Sequence, residues 1–115
     1  MAPTLYHNTR CSKSRGALEL LQSRGIEPDV VYYLETPPSP ARLRELLRML
    51  GLPARELLRK GEDEYRELGL DDPSLSEDAL IEAMAKHPKL IERPVFVNGG
   101  KAVIGRPPER VLEIL

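Results

Sequence analysis

Apolar positions in the first third of the chain follow strand spacing, then helix spacing, then strand spacing again. Residues 4–6 are a short β-prone run, and residues 12–24 carry apolar side chains clustered on one helix face. Gly25 is placed to end that helix. The β-branched and aromatic run at 29–34 follows. Together they predict a right-handed βαβ unit with parallel strands.

The middle of the chain has helical periodicity. Ser39-Pro40 predicts an N-cap before a first-turn proline, and the row of leucines that follows ends at Gly51. A second short helix is predicted at 54–60. A third begins at the capping-box sequence SLSE of residues 74–77, and Pro88 ends it.

The last third changes to strand periodicity. Residues 94–104 predict two short strands around an Asn98-Gly99 turn, which is a strong hairpin signal. The prolines after Gly105 break the chain, and a final helix is predicted through 111–115. The order predicts an α/β fold with a four-stranded mixed sheet, βαβ then ββα. We expect a single domain over 1–115, with the helices at about 39–90 as an inserted subdomain.

The charge balance limits the classes of partner. The 115 residues include 17 Lys plus Arg and 18 Asp plus Glu, for a formal net charge of −1. Such a domain lacks the electrostatic attraction to nucleic acid that a basic domain has, so we expect no nucleic-acid partner. No apolar run approaches the ~18 residues of a membrane span, and the first residues have no apolar stretch typical of a signal peptide. We therefore expect a cytoplasmic protein without membrane association, and an even charge pattern favours a monomer.

Cys11 is the single cysteine of the chain, so a redox cycle must take its second sulfur from another molecule. One cysteine with His7 and His87 is too few for a four-ligand structural zinc site, and we expect no metal. Cys11 precedes the first predicted helix, where the helix dipole and unpaired N–H groups favour a thiolate. A small buried hydrophobe is the alternative interpretation of a free cysteine. The basic, serine-containing loop favours the reactive thiol.

Neighbouring residues narrow the chemistry. Ser14 stands where a dithiol enzyme has its resolving cysteine, which indicates a monothiol nucleophile. Ala17 stands where a low-molecular-weight phosphatase loop requires arginine, which disfavours a phosphatase. Three arginines lie at predicted element boundaries, and a planar guanidinium suits bidentate contact with an oxyanion. They are Arg59, Arg93 and Arg106. Spacing alone leaves their convergence open.

Five short segments carry a recognisable pattern. They are YHNTRCSKSR at 6–15, YLETP at 33–37, LLRK at 57–60, ERP at 92–94 and GRPP at 105–108. Together they resemble the glutaredoxin-dependent ArsC-type arsenate reductases, in register from Leu5 to Leu115. The CSKSR and IGRPPE sequences are most similar to the YfgD-like branch of that family. The resemblance implies a thioredoxin-like fold with a helical insertion.

The resemblance also implies roles for individual residues. Cys11 occupies the position of the nucleophile, and Pro94 that of the cis-proline beside it. The resemblance assigns substrate binding to Arg59, Arg93 and Arg106. It assigns stabilisation of the thiolate to His7 and Ser14.

The implied reaction is attack of the Cys11 thiolate on arsenate, which is reduced to arsenite with glutathione as co-substrate. Glutaredoxin then resolves the Cys11–glutathione mixed disulfide, and no bound cofactor is expected. Two alternatives stay open. A general glutathione-linked monothiol oxidoreductase needs Cys11 without the arginines. An Spx-like regulator binds a partner such as RNA polymerase, but Ser14 replaces the second cysteine of the usual Spx-like switch.

Overall fold

The computed structural model describes residues 3–115. The chain divides into two compact units. The sheet unit ends at Thr36 and resumes as Arg93–Leu115, and the helical unit is Pro37–Glu92. The insertion predicted at about 39–90 lies inside the helical unit. That the two units form a single domain stays a prediction.

The sheet unit contains four strands in a mixed sheet. They are β1 (Thr4–His7), β2 (Asp29–Tyr32), β3 (Val95–Asn98) and β4 (Lys101–Ile104), in the order β2-β1-β3-β4. Strands β1 and β2 are parallel, whereas β1 pairs with β3 and β3 with β4 in antiparallel fashion. The predicted α/β class with its mixed sheet is confirmed.

Helix α1 (Ser12–Ser23) packs its apolar face onto the sheet. The buried cluster beneath it contains Leu5, Ala17, Leu21, Phe96, Val103 and Val111. Strands β1, β3 and β4 each contribute one residue to this cluster, and Ala17 and Leu21 are four positions apart in α1, as on one face of a helix. The sheet and α1 hold the loop between them in place.

Two local predictions in the sheet unit are wrong, whereas the predicted final helix is confirmed. Strand β2 ends at Tyr32 rather than at residue 34, because the Tyr32 carbonyl accepts N–H bonds from Glu35 and Thr36 and the chain turns. The hairpin turn is Gly99-Gly100, with φ of 59° and 80°, while Asn98 pairs with Lys101 at the strand ends. Two successive positive φ values suit two glycines better than an asparagine and a glycine. The final helix is a 3-10 helix, Pro108–Ile114.

The helical unit contains four α-helices in its described residues. They are α2 (Pro40–Leu50), α3 (Ala54–Leu57), α4 (Asp63–Glu67) and α5 (Glu77–Lys86), followed by the 3-10 turn Pro88–Leu90. The predicted caps of α2 are confirmed, since Ser39 Oγ accepts the Arg42 N–H at 3.1 Å and Gly51 has φ of 69°. Helix α3 is shorter than predicted because Leu58 pairs with Ile91 in an isolated β-bridge.

Helix α5 begins two residues later than the capping-box pattern predicts. Ser76, not Ser74, is its N-cap, and its Oγ accepts the Ala79 N–H at 3.1 Å. Glu77 is drawn away from the box because its Oε2 accepts the Ala54 N–H at 2.9 Å. Helix α4 was not predicted. No helix within residues 3–115 is both long and apolar enough to cross a membrane.

Candidate active site

Cys11 is the N-cap residue of α1 and ends the loop that leaves β1. Its backbone is extended, and its carbonyl accepts the Arg15 N–H at 3.0 Å as the first bond of the helix. The N–H groups of Ser14 and Lys13, which have no partner within the helix, donate to its sulfur. Cys11 is partly exposed. The predicted position at the helix start is confirmed, and the thiol is open to reagents.

Arg93 and Arg106 bring two guanidinium groups to this sulfur. Arg93 lies two residues before β3 and Arg106 two residues after β4, and the pairing of Val95 with Ile104 places both at the same end of the hairpin. Arg93 donates a hydrogen bond to Cys11. Arg106 Nη1 lies 3.9 Å from Cys11 Sγ and donates to the Arg93 carbonyl at 3.3 Å. Two of the three predicted arginines therefore lie at the sulfur.

The balance of these contacts lowers the pKa of Cys11. Partial burial, the largest single influence, raises the pKa of the thiol. The Ser14 N–H, the Arg93 hydrogen bond, the Lys13 N–H and the Arg93 charge act in the opposite direction and together outweigh it. Arg106 is not among the main influences on this pKa, although its Nη1 lies 3.9 Å from Sγ. Backbone donors on one side and a guanidinium on the other thus stabilise the thiolate form of the sulfur.

Arg93 is itself held by a buried tyrosine that the sequence analysis left without a role. Partial burial lowers the pKa of Arg93, but the charges and hydrogen bonds of Tyr33 and Cys11 raise it above its ordinary value. Arg93 therefore stays charged. Tyr33 is 1% exposed while its neighbour Tyr32 is 48% exposed. Strand alternation gives no signal for this difference, because β2 ends at Tyr32 and Tyr33 lies in the turn that follows.

His7, Asn8 and Ser14 form a buried polar network behind the loop. Ser14 Oγ accepts the Asn8 N–H at 3.0 Å and lies 2.6 Å from His7 Nδ1. All three residues are buried. Asn8 also accepts the Arg10 N–H at 2.9 Å through Oδ1, which fixes the turn before the cysteine. The network sets the path of the chain on both sides of Cys11.

The environment of His7 determines how it can support the thiolate. Burial, followed by the charge of Arg15, lowers the pKa of His7 below its ordinary value. His7 is therefore neutral at pH 7 and supplies no positive charge to the thiolate. The hydrogen bond between His7 Nδ1 and Ser14 Oγ holds Ser14 in place, and the Ser14 N–H donates to the sulfur.

Pro94 lies between Arg93 and β3. The Arg93–Pro94 peptide bond is cis, as is the Arg106–Pro107 bond. Pro94 is buried, and its carbonyl accepts the Gly105 N–H at 2.8 Å. A Cβ on Gly105 would lie 2.8 Å from Pro94 Cγ, so only glycine allows the two segments to approach this closely.

Arg59 belongs to the helical unit. Its N–H donates to the Leu90 carbonyl at 2.7 Å. Its side chain forms ion pairs with Glu62, at 3.3 Å from Nε, and with Glu92. These carboxylates orient the guanidinium. Its convergence with Arg93 and Arg106 stays a prediction.

The ArsC family model matches residues 6–114 of this chain. This chain belongs to the ArsC family. It is 62% identical over 112 residues to the YfgD protein of Escherichia coli K12, which is described as uncharacterized, covering 96% of this chain and 94% of that one. It is 51% identical to a Neisseria meningitidis protein named arsenate reductase, covering 96% of each chain.

A solved structure of an ArsC relative gives the same result for the fold. The arsenate reductase from Vibrio cholerae superposes with a TM-score of 0.98 at 55% identity, covering all of this chain and 98% of that one. The thioredoxin-like class implied by the sequence resemblance is confirmed, as is the family itself.

Proposed function

We propose that this protein is an arsenate reductase in which the Cys11 thiolate attacks arsenic. The observation that carries the proposal is a partly exposed sulfur of lowered pKa with Arg93 and Arg106 beside it. Relatives named arsenate reductase that match over nearly the whole chain support the choice of oxyanion. An anionic nucleophile attacks an anionic substrate only if cations neutralise the repulsion, and the two guanidinium groups supply this neutralisation.

Arsenate binding is assigned to the groups around the sulfur. Arg93 is fixed by Tyr33 and stays charged, so it offers a positioned donor to an arsenate oxygen. Arg106 adds a second donor from the other end of the hairpin. Arg59 is the proposed third ligand, oriented by Glu62 and Glu92.

The reaction transfers two electrons to arsenic. The Cys11 sulfur forms a bond to As(V), and one arsenate oxygen leaves as water after protonation. The sulfur of glutathione then bonds to the Cys11 sulfur as the As–S bond breaks, and arsenic keeps that electron pair and leaves as arsenite. Glutaredoxin attacks the glutathione sulfur of the mixed disulfide and restores the Cys11 thiol. Such a cycle needs a reducing compartment, so we place the protein in the cytoplasm. We also propose that it acts as a monomer, because one chain supplies every group named.

The test is arsenite formation by purified protein supplied with arsenate, glutathione and glutaredoxin. Omission of either thiol reagent, or the substitution Cys11→Ser, is expected to abolish turnover. Arg106→Ala is expected to lower kcat/KM by about 10²–10³-fold, the usual cost of one positioned donor to a developing oxyanion. Correctly folded wild-type protein that forms no arsenite would contradict the proposal.

A second candidate is reduction of glutathione mixed disulfides in general, favoured by one observation. Ser14 replaces the resolving cysteine and its buried Oγ is engaged by His7 and Asn8, which leaves one exposed sulfur. Arg93 cannot separate the two candidates because it also lowers the pKa of Cys11. The substitution Arg59→Ala can separate the two candidates, since the ion-pair partners of Arg59 lie in the helical unit. We expect loss of arsenate turnover with deglutathionylation retained, and equal effects on both would favour the general oxidoreductase.

A further inference from the structure

A cleft of about 320 Å³ opens in the sheet unit at the carboxyl ends of the parallel strands β1 and β2. Its buried side consists of His7 and Asn8. In open α/β sheets this edge is where ligands bind. The volume is at the lower end of the range for small-molecule sites, roughly 300–1,000 Å³. The cleft is therefore large enough for a ligand the size of a short peptide.

The exposed walls of the cleft combine two apolar surfaces with two opposite charges. Tyr32 and Leu34, which are 48% and 40% exposed, supply the apolar surfaces. Arg10 and Glu35 also line the cleft, and within residues 3–115 neither side chain has an ion-pair partner. A ligand that suits this lining carries at least one carboxylate and one ammonium around a less polar centre.

We propose that this cleft binds glutathione, the co-substrate in the proposed function on which this inference rests. Glutathione is a tripeptide with a carboxylate at each end, one ammonium and a central thiol. Arg10 would bind a carboxylate, Glu35 the γ-glutamyl ammonium, and Tyr32 and Leu34 the peptide between them. Binding at both ends leaves the thiol free to react.

The position of the cleft fits delivery of that thiol to Cys11. Arg10 directly precedes Cys11, so their Cα atoms are about 3.8 Å apart, and an extended tripeptide spans about 10 Å. In the strand order β2-β1-β3-β4 the cleft lies on the β2 side of β1, whereas Arg93 and Arg106 flank β3 and β4. Oxyanion and thiol therefore approach Cys11 from opposite sides of β1. The glutathione thiol gives up its proton and bonds to the Cys11 sulfur, while the As–S bond breaks toward arsenic.

The test uses S-methylglutathione, which cannot form a disulfide and needs no arsenate to bind. Calorimetry is expected to give saturable binding to the wild type, weakened about tenfold or more by Arg10→Ala or Glu35→Gln, since each removes a charged hydrogen bond. The controls are Arg24→Ala and Glu27→Gln, exposed residues of the same unit outside the cleft. They are expected to bind as the wild type does.

A modified ligand tests the assignment of Glu35. N-acetyl-S-methylglutathione lacks the ammonium, so it is expected to bind the wild type weakly and to lose nothing more with Glu35→Gln. No saturable binding of S-methylglutathione, or equal affinity in Arg10→Ala and the wild type, would overturn the cleft proposal. A wild type that binds the probe but forms no arsenite would overturn the proposed function alone. Arsenite formation by Arg10→Ala with an unchanged KM for glutathione would overturn only the cleft.

Discussion

At the scale of single residues, burial and hydrogen-bond donors have opposite effects on the pKa of Cys11. Burial disfavours the thiolate more than any one donor favours it, and only the sum of the Ser14 and Lys13 N–H groups and Arg93 reverses the sign. Arg93 is the side chain in that set. Arg93 also interacts with the buried Tyr33, so Tyr33 supports the nucleophile through Arg93.

The pH dependence of alkylation tests this balance between burial and hydrogen-bond donors at Cys11. The rate with iodoacetamide is expected to titrate with a midpoint below the ordinary thiol pKa of about 8.5. Arg93→Ala is expected to raise the midpoint, because it removes both a hydrogen bond and a charge from the thiolate. Arg106→Ala is the control and should raise it less, since its Nη1 lies 3.9 Å from Sγ. Equal midpoints in the wild type and Arg93→Ala would contradict the assignment.

At the scale of elements, the start of α1 and the two ends of the β3–β4 hairpin meet around one sulfur. The hairpin is held close by the Gly105 N–H bond to the Pro94 carbonyl. Gly105 is buried, and an added Cβ would meet Pro94 Cγ at 2.8 Å and Val111 Cγ1 at 3.2 Å. Neither neighbour is the free end of a flexible side chain, so the segment carrying Arg93 would have to move.

The substitution Gly105→Ala tests this packing. We expect a loss of about 1–3 kcal/mol in the free energy of unfolding, the usual cost of overpacking a buried site, measured by urea denaturation. Gly61→Ala is the matched control, because nothing lies within 4 Å of a Cβ there. Its free energy of unfolding should change by less than about 0.5 kcal/mol. Equal stability in the two variants would show that Pro94 and Val111 can yield.

At the scale of the whole molecule, His7 links global stability to pH. Burial and Arg15 lower the pKa of His7 in the folded state below the value of 6.5 expected when unfolded. Just below pH 6.5, His7 therefore binds a proton in the unfolded chain but not in the folded chain. The contribution of His7 to stability is present above that pH and is lost as the pH falls toward the folded-state pKa.

Denaturation at several pH values measures this linkage. The free energy of unfolding of the wild type is expected to fall as the pH is lowered from about 6.5, by at most about 1.4 kcal/mol per pH unit from one proton. His7→Gln should flatten that slope while lowering stability throughout, because the contact with Ser14 changes. The slope is the readout that separates titration from lost packing. An unchanged slope would mean that His7 titrates alike in both states.

Much of the fold was predictable because its signals are local. The helical spacing of apolar residues along α1 and the caps Ser39 and Gly51 act through neighbours a few positions away. The wrong start of α5 arose because a distant residue competes with a local rule. Glu77 bonds to the Ala54 N–H, 23 positions away, so the capping box at 74–77 does not form and Ser76 caps α5 instead.

The sequence by itself determined that the protein has one thiol at the start of a helix, without a second cysteine to resolve it. It also determined the succession of the four strands along the chain and the resemblance to the family. Only the tertiary structure decided which cations reach the thiol, because Arg106 and Cys11 are 95 positions apart and meet through the pairing of β1, β3 and β4. It also decided that His7 is neutral, since burial depends on what packs around the ring. Local preferences act over a few residues, whereas desolvation and charge depend on every segment that folding brings near.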